Sequence, residues 1–227
     1  MIRRSGRNGG ANGDTSDGVR QKHMDIGGEI LEHATAHFDS AGVAVDSGGA
    51  ILVLGLESTK EQDLNRMTLK DGRMRLHGWT DHVKPKMIAL MDFIEAKGFS
   101  AEPLGWWGYP TGDAINLKRW AVMAGLGYQG KNTVVLDPKV GHRIRLAGMW
   151  TDAPLTPTGS GTYEYREHPL CHSCNICIDA CPVEGLLEPY RLLDPARCLV
   201  NIESPLVRNR HGTCREACRI NCPVGGE

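Results

Sequence analysis

The chain has 227 residues, of which 41% are hydrophobic and 23% charged, and a formal net charge of -1 at pH 7. This composition indicates an ordinary globular protein of one domain, or of one domain with an appended module. No apolar run approaches the ~20 residues that a bilayer-spanning helix needs, so we expect a cytoplasmic protein without a membrane partner. A net charge near zero gives no overall attraction to nucleic acid, and we expect no such partner.

The first third of the chain predicts a tail, a helix and a buried strand. Residues 1–22 hold almost nothing that could be buried, so we expect a flexible tail. From 23 to about 40 the apolar residues recur at helical spacing, and the continuous apolar run 50–56 predicts a buried strand. The polar segment 57–79 predicts a surface loop or a lid.

Two further helices are predicted before a glycine-rich loop. One runs from about 81 to 97, and a short strand is expected within 100–107. The next helix, which ends near Ala124, should be capped by Asp113 or Thr111, since both side chains can accept a hydrogen bond from the backbone of the first turn.

The segment 124–133 carries three glycines within six residues, which lets the backbone approach a ligand or another backbone closely. The runs 134–136 and 144–151 after it predict a hairpin. Residues 154–163 are rich in Pro, Thr, Gly and Ser and predict a linker. We therefore divide the chain into a tail (1–22), a first domain (23–160) and a cysteine-rich module (161–227).

Eight cysteines lie in the module, and the first four have the bacterial ferredoxin spacing C-x2-C-x2-C-x3-C-P. In that pattern three thiolates bind one cubane cluster and the fourth binds a neighbouring cluster. The ligand pattern of bacterial ferredoxins thus predicts two 4Fe-4S clusters. One is held by Cys171, Cys174, Cys177 and Cys222, and the other by Cys181, Cys198, Cys214 and Cys218. The gap between Cys214 and Cys218 is one residue wider than in the commonest second motif.

Zinc and disulfides are the alternatives for these cysteines. Two zinc sites would also use eight thiolates, but zinc is usually held by paired Cys-x2-4-Cys knuckles, and three cysteines in one seven-residue loop fit a cubane better. Disulfides are typical of small exported proteins, whereas this chain has enough apolar residues for a core and no export signal.

Three segments, AGLGYQGKNT at 124–133, LDPK at 136–139 and RIRLAGMWTDAPL at 143–155, precede the ferredoxin run. In order and spacing they resemble the catalytic core shared by epoxyqueuosine reductases and reductive dehalogenases, from about residue 110 to the C-terminus. The resemblance implies an α+β chain with a nitroreductase-like α/β cobalamin-binding domain followed by a bacterial-type two-cluster ferredoxin module. It also implies that the clusters pass electrons to a base-off corrinoid.

By the same resemblance the glycine loop would line the corrinoid pocket, through Gly127, Tyr128, Gly130, Lys131, Asn132 and Thr133. The alternative is that the glycines serve only a tight turn and that Lys131 is exposed to solvent. Reduction usually also needs a proton donor, and the candidates are Asp113, Tyr109 and Tyr128. Asp113 could equally be a helix cap, and the tyrosines could be packing residues.

The sequence also departs from both subfamilies. Thr111 stands where epoxyqueuosine reductases carry an acid, whereas Gly112-Asp113 is closer to the Asn-Asp pair of reductive dehalogenases. The sequence ends five residues after Cys222, without the helical repeats that epoxyqueuosine reductases use on tRNA. We expect a trimmed relative with its own substrate.

The main hypothesis is a cobalamin-dependent reductase of a small molecule, supplied with electrons by a ferredoxin or flavodoxin. A second hypothesis is an electron-transfer or corrinoid-reducing protein that serves a partner corrinoid protein and has no organic substrate of its own. A third is a plain two-cluster ferredoxin with a structural first domain. Tight cobalamin binding and substrate turnover would distinguish these three.

Overall fold

The computed structural model describes residues 16–46, 49–70, 73–109, 116–160, 168–186 and 217–225. Its helices are α1 (Ser16–His37), α2 (Lys84–Ala96), α3 (Leu117–Met123), α4 (Ile176–Asp179) and α5 (Ala217–Ile220). A π-helical turn occupies Trp79–Val83 and a 3-10 turn Pro169–Cys171. The strands are β1 (Ser40–Asp46), β2 (Gly49–Glu57), β3 (Met67–Lys70), β4 (Arg73–Leu76), β5 (Ala101–Pro103), β6 (Tyr128–Gln129), β7 (Val135–Leu136) and β8 (Ile144–Thr151).

The architecture is built on an antiparallel four-stranded sheet with the order β1-β2-β8-β5. Strand β2 is central, and its residue Leu52 lies opposite Val43 of β1 and Met149 of β8. The prediction of a buried strand at 50–56 is confirmed, because successive residues of this strand are buried on both faces of the sheet.

Helices cover both faces of this sheet. On one face α1 and α2 pack against alternate strand residues, so that Ile30, Leu90 and Leu54 share one core. On the other face α3 and the loop after it pack against the intervening residues, as Ala121 does with Val53. The mixed α/β class predicted from the sequence is therefore confirmed. None of the helices in the described ranges is long and apolar enough to cross a membrane.

The N-terminal helix and the strand after it differ from the prediction. Helix α1 begins at Ser16, inside the segment 1–22 that was expected to be a tail. The segment 16–22 is almost entirely polar or glycine, so it gives no apolar period although Arg, Gln and Lys favour helices. Strand β1 was missed because its small residues resemble a helix-ending loop, and pairing with β2 makes it a strand.

The segment 57–79, predicted as a loop or lid, contains the β3–β4 hairpin. The following helix is regular only from Lys84, with Pro85 in its first turn, because the chain first forms the π-helical turn. Gly98 ends the helical region with a φ of 90°, a left-handed conformation that favours glycine.

Helix α3 is capped by Asn116, whose side-chain oxygen accepts a hydrogen bond from the backbone N–H of Arg119 at 3.1 Å. The prediction of a cap at Asp113 or Thr111 was therefore wrong for this helix. Both of those residues lie outside the described part of the chain.

The predicted hairpin of 134–136 with 144–151 was also wrong. Strand β7 pairs with β6, while β8 pairs along its whole length with β2 and also with β5. The eight residues of β8 form more hydrogen bonds and bury more surface beside the nine-residue strand β2 than they would beside the three residues 134–136.

The first part of the predicted linker is attached to the sheet domain. The Thr158 hydroxyl accepts a hydrogen bond from the Val43 N–H at 2.9 Å and donates one to the Ala124 carbonyl at 2.7 Å. Residues 154–160 therefore lie against the domain before the chain reaches the cysteines.

Candidate functional site

Four cysteines from two distant segments line a single cavity. Cys171, Cys174 and Cys177 come from the ferredoxin run, and Cys222 comes from the C-terminal segment. The remaining wall of the cavity is formed by Lys131, Asn132, Leu136, Leu170, Pro223 and Val224. Among them, Leu136 and Val224 form a small apolar cluster with Cys171 and Cys222. The structure thus brings together the four cysteines that the sequence assigned to one cluster.

Short turns shape the ferredoxin run. A ring nitrogen of His168 accepts a hydrogen bond from the Leu170 N–H at 3.2 Å and so caps the 3-10 turn that ends at Cys171. The backbone N–H of Cys174 then donates to the Cys171 carbonyl at 3.2 Å, and α4 follows with Cys177 in its first turn. The backbones of Cys171 and Cys174 are therefore fixed by local hydrogen bonds.

The C-terminal segment is held by the turn between β7 and β8. The Val224 carbonyl accepts a hydrogen bond from the His142 N–H at 3.4 Å. A Cβ atom on Gly141 would lie 2.3 Å from the same carbonyl oxygen, and the φ of Gly141 is 58°. Glycine is thus required at this position both by the backbone conformation and by the close approach of the segment that carries Cys222.

The chemistry of the cavity fits an iron-sulfur cluster. Burial, followed by the nearby Cys222, Cys171 and Cys174, raises the pKa of the Cys177 thiol to about 11. Burial likewise raises the pKa of Cys222. Thiolates crowded together in an apolar cavity need a cationic group between them, and iron supplies that charge. Within the described ranges, no three His, Cys, Asp or Glu side chains are arranged to hold a single metal ion.

The second set of cysteines is only partly described. The Cys181 sulfur accepts a hydrogen bond from the Gly185 N–H at 3.2 Å, and Cys218 lies on α5, which packs against α4. Cys198 and Cys214 lie outside the described residues. Ligation by all eight cysteines therefore stays a prediction.

The glycine loop packs tightly on β7. A Cβ atom on Gly127 would lie 2.3 Å from the Leu136 carbonyl oxygen, and one on Gly130 would lie 2.7 Å from the side-chain oxygen of Asn132. Thr133 has a φ of 66° and its hydroxyl accepts a hydrogen bond from the Lys118 ammonium group at 3.2 Å. Gly127 is explained by the close approach of the Leu136 backbone, and Gly130 by the side chains of Asn132 and Leu136 that lie against it.

Two consecutive side chains of the loop face the cysteine segments. Lys131 is 8% exposed, and its ammonium group donates to the Asn175 side-chain oxygen at 3.0 Å and to the His172 carbonyl at 3.3 Å. Asn132 donates from its amide nitrogen to the Cys218 carbonyl at 3.1 Å. The alternative with an exposed Lys131 was therefore wrong. No local sequence signal identified this pair as contacts of the cysteine segments, because both partners are remote in the chain.

The predicted proton donors have different surroundings. Tyr109 is half-buried with its ring 5.2 Å from that of Trp79, and burial raises its pKa although nearby Arg145 lowers it. Tyr128 is 36% exposed and its ring lies edge-on to His168 at 5.5 Å. Asp113 lies outside the described residues. Catalytic roles for all three stay predictions.

No family model matches the chain, but individual relatives do. It is 32% identical over 152 residues to an epoxyqueuosine reductase of Pseudomonas aeruginosa, which covers 62% of this chain and 39% of that protein. It is 34% identical over 111 residues to a tetrachloroethene reductive dehalogenase of Dehalobacter restrictus, covering 48% of this chain and 20% of that protein. The chain thus spans well under two thirds of the length of these relatives.

Solved structures share its fold. An epoxyqueuosine reductase superposes with a TM-score of 0.63 at 19% identity, over 88% of this chain and 66% of that chain. Another, solved with an epoxyqueuosine-modified tRNA stem loop, gives a TM-score of 0.56 at 19% identity over 77% and 56%. A reductive dehalogenase described with a mechanism for B12-dependent dehalogenation gives 0.50 at 16% identity over 78% and 27%.

The fold is thus shared with epoxyqueuosine reductases and a reductive dehalogenase, and the sequence likeness is more specific. The chain is a divergent homologue of epoxyqueuosine reductases and reductive dehalogenases, as the sequence motifs predicted. One expectation needs correction. Because a protein of this fold was solved with a tRNA stem loop, a net charge near zero is no argument against a nucleic-acid partner.

Proposed function

We propose that this chain is a reductase in which two 4Fe-4S clusters deliver electrons to a base-off corrinoid that reduces the substrate. The observation that carries the proposal is the cavity shared by Cys171, Cys174, Cys177 and Cys222, because four thiols around one apolar cavity match the ligand set of a cluster. The named activities of both kinds of relative support the reductase class.

The protein's own contribution is to hold and shield the first cluster. The four cysteines would ligate it, while Leu136, Leu170 and Val224 exclude water from part of its surface. When bound, such a cluster supplies one-electron transfer, with a potential set by charge, hydrogen bonds and solvent exposure. The second cluster would be held by Cys181, Cys198, Cys214 and Cys218.

For the corrinoid, the described residues of the glycine loop fit less well. The space beside Gly127 and Gly130 is occupied by atoms of Leu136 and Asn132. The side chains of Lys131 and Asn132 are bonded to the cysteine segments. Tyr128 pairs with Leu136 in the β6–β7 hairpin and its ring packs edge-on against His168, while the Thr133 hydroxyl accepts a hydrogen bond from Lys118. The corrinoid therefore rests on the likeness to the relatives, one of which is described with B12.

The domain division belongs to the same proposal. A nitroreductase-like domain at 23–160 would carry the corrinoid, and a ferredoxin-like module at 161–227 would carry both clusters. Residues 154–160, which precede the module, are attached to the sheet domain through Thr158. A ferredoxin or flavodoxin is the proposed electron donor.

Two substrate classes follow from the relatives. One is an epoxide on a tRNA nucleoside, as in the epoxyqueuosine reductases, and the other is a halogenated small molecule such as tetrachloroethene. Reduction of a carbon–halogen bond takes up two electrons and one proton and releases halide, whereas deoxygenation of an epoxide to an alkene takes up two electrons and two protons and releases water. Tyr109, Tyr128 and Asp113 remain the proposed proton donors.

Anaerobic reconstitution tests the proposal. The chain is incubated with iron, sulfide and hydroxocobalamin, desalted, and analysed by metal content and by EPR after partial reduction. We expect about eight irons and one base-off cob(II)alamin per chain, followed by turnover of an epoxyqueuosine tRNA stem loop or of tetrachloroethene. Clusters without retained cobalamin would overturn the reductase and leave an electron-transfer protein.

A further inference from the structure

A buried lysine lies in the wall of the cluster cavity. Lys131 is 8% exposed and its ammonium group is bonded to two neutral oxygens, those of the Asn175 side chain and the His172 backbone. In the part of the chain that the structure describes, no carboxylate lies within ion-pair distance of this group. A buried ammonium group without an opposite charge is costly, since neutral oxygens replace only part of its hydration.

Among the described residues no opposite charge faces this ammonium group, and a cluster would bring one. A 4Fe-4S cluster with four cysteine thiolates carries a net negative charge, and this charge increases by one on reduction. Because Lys131 and the four cysteines line the same cavity, its ammonium group would face that charge across a medium of low dielectric constant. The charge of the lysine and the charge of the cluster then compensate each other.

We propose that Lys131 is a positioning residue of the first cluster that also raises its reduction potential. Its two hydrogen bonds hold residues 172 and 175, which lie between the ligands Cys171, Cys174 and Cys177. Its positive charge stabilises the reduced cluster more than the oxidised one, because the reduced cluster is the more negative. The inference rests on the first cluster of the proposed function and is independent of the corrinoid and the substrate.

The next residue supplies a matched comparison. Asn132 also reaches from the glycine loop to a cysteine segment, through its bond to the Cys218 carbonyl, but it carries no charge. Removing the Asn132 amide therefore removes a structural tie alone, whereas removing the Lys131 ammonium group removes a tie and a charge. An effect on potential that is specific to Lys131 would identify the charge.

The test is an EPR-monitored redox titration of the full chain after anaerobic reconstitution, on the wild type and on K131M, K131R and N132S. In K131M we expect the midpoint potential of one cluster to fall by about 59 mV. For a one-electron couple this shift lowers the ratio of reduced to oxidised cluster tenfold at a fixed applied potential. The other cluster is the internal reference. K131R should keep the wild-type potential, and N132S should shift it much less than K131M.

Each outcome decides the matter. Loss of about half the iron in K131M but not in K131R would support the positioning role, because the cluster then depends on the cation. Unchanged potentials in a fully loaded K131M, or equal shifts in K131M and K131R, would overturn the inference alone. If the wild-type chain binds no cluster, the proposed function fails as well, and the wild-type spectrum distinguishes that case.

Discussion

The sheet domain and the cysteine segments are stabilised in different ways. In the sheet domain Leu52, Leu90 and Met149 are each 0% exposed, between long strands and covering helices. In the cysteine segments α4 and α5 have four residues each, and Ile176 and Ile220 are 47% and 71% exposed. The first region can be stabilised by its own apolar burial, whereas the second depends on its attachments and its ligands.

Those attachments come from a short stretch of the sheet domain. Lys131 and Asn132 bind the two cysteine segments, and the turn at Gly141 receives Val224. The lesson of the comparison is that the β6–β7 hairpin and the turn after it, which belong to the first domain, also hold the cysteine segments around the cavity. A substitution in one region should therefore leave the other region unaffected, unless it alters one of these contacts.

We expect the largest effect on one region alone from the replacement of a cysteine ligand. Cys177→Ala should remove the first cluster and lower the iron content after reconstitution from about eight to about four per chain, because one of four ligands is lost. The unfolding transition of the sheet domain should not move, since its core is elsewhere. Iron analysis and urea unfolding followed by tryptophan fluorescence measure the two quantities.

Ser173→Ala is the matched control, because Ser173 is exposed within the same run. It should keep the full iron content. If Cys177→Ala also kept it, the ligand assignment would be wrong, and if it unfolded the sheet domain, the two regions would not be independent.

A core change should have the opposite pattern. Leu90→Ala in α2 should lower the free energy of unfolding of the sheet domain by roughly 2–5 kcal/mol, because a fully buried leucine leaves a cavity. The iron content of the folded fraction should stay unchanged. Val45→Ala, at a position that is 39% exposed, is the control and should change the stability by no more than about 0.5 kcal/mol. A cluster loss in Leu90→Ala would show that the core and the cavity are coupled.

The smallest effect concerns pH and the chain without clusters. The folded state raises the pKa of Cys177 to about 11 from its ordinary value of 9.0, so it favours the protonated thiol. This contribution to stability is complete below pH 9 and is lost as the pH rises from about 9 to 11, because the unfolded chain then binds fewer protons. Urea unfolding of the cluster-free protein at pH 7 and pH 10 should show the decline.

The same experiment on cluster-free Cys177→Ala should show a smaller decline between the two pH values. An equal decline in both proteins would assign the pH dependence to other groups. A rise in stability with pH would contradict the buried, protonated thiol altogether.

Much of the fold and part of the site could be predicted from local patterns. The apolar run of β2 and the apolar period of α2 identified the core elements, and the spacing of Cys171, Cys174 and Cys177 indicated a common ligand loop. The helix cap could not be located, because Asn116, Asp113 and Thr111 are all residues that can cap. Choosing among them requires the path of the chain.

What the sequence determined by itself is therefore the information carried by neighbours in the chain: periodicity, spacing and the motifs shared with the relatives. The tertiary structure alone decided that β8 pairs with β2 and that Lys131 contacts the ferredoxin run at residues 41 and 44 positions further along. The physical reason is that these contacts join remote residues, and their free energy comes from burial and hydrogen bonds that exist only once the sheet and its hairpin have formed.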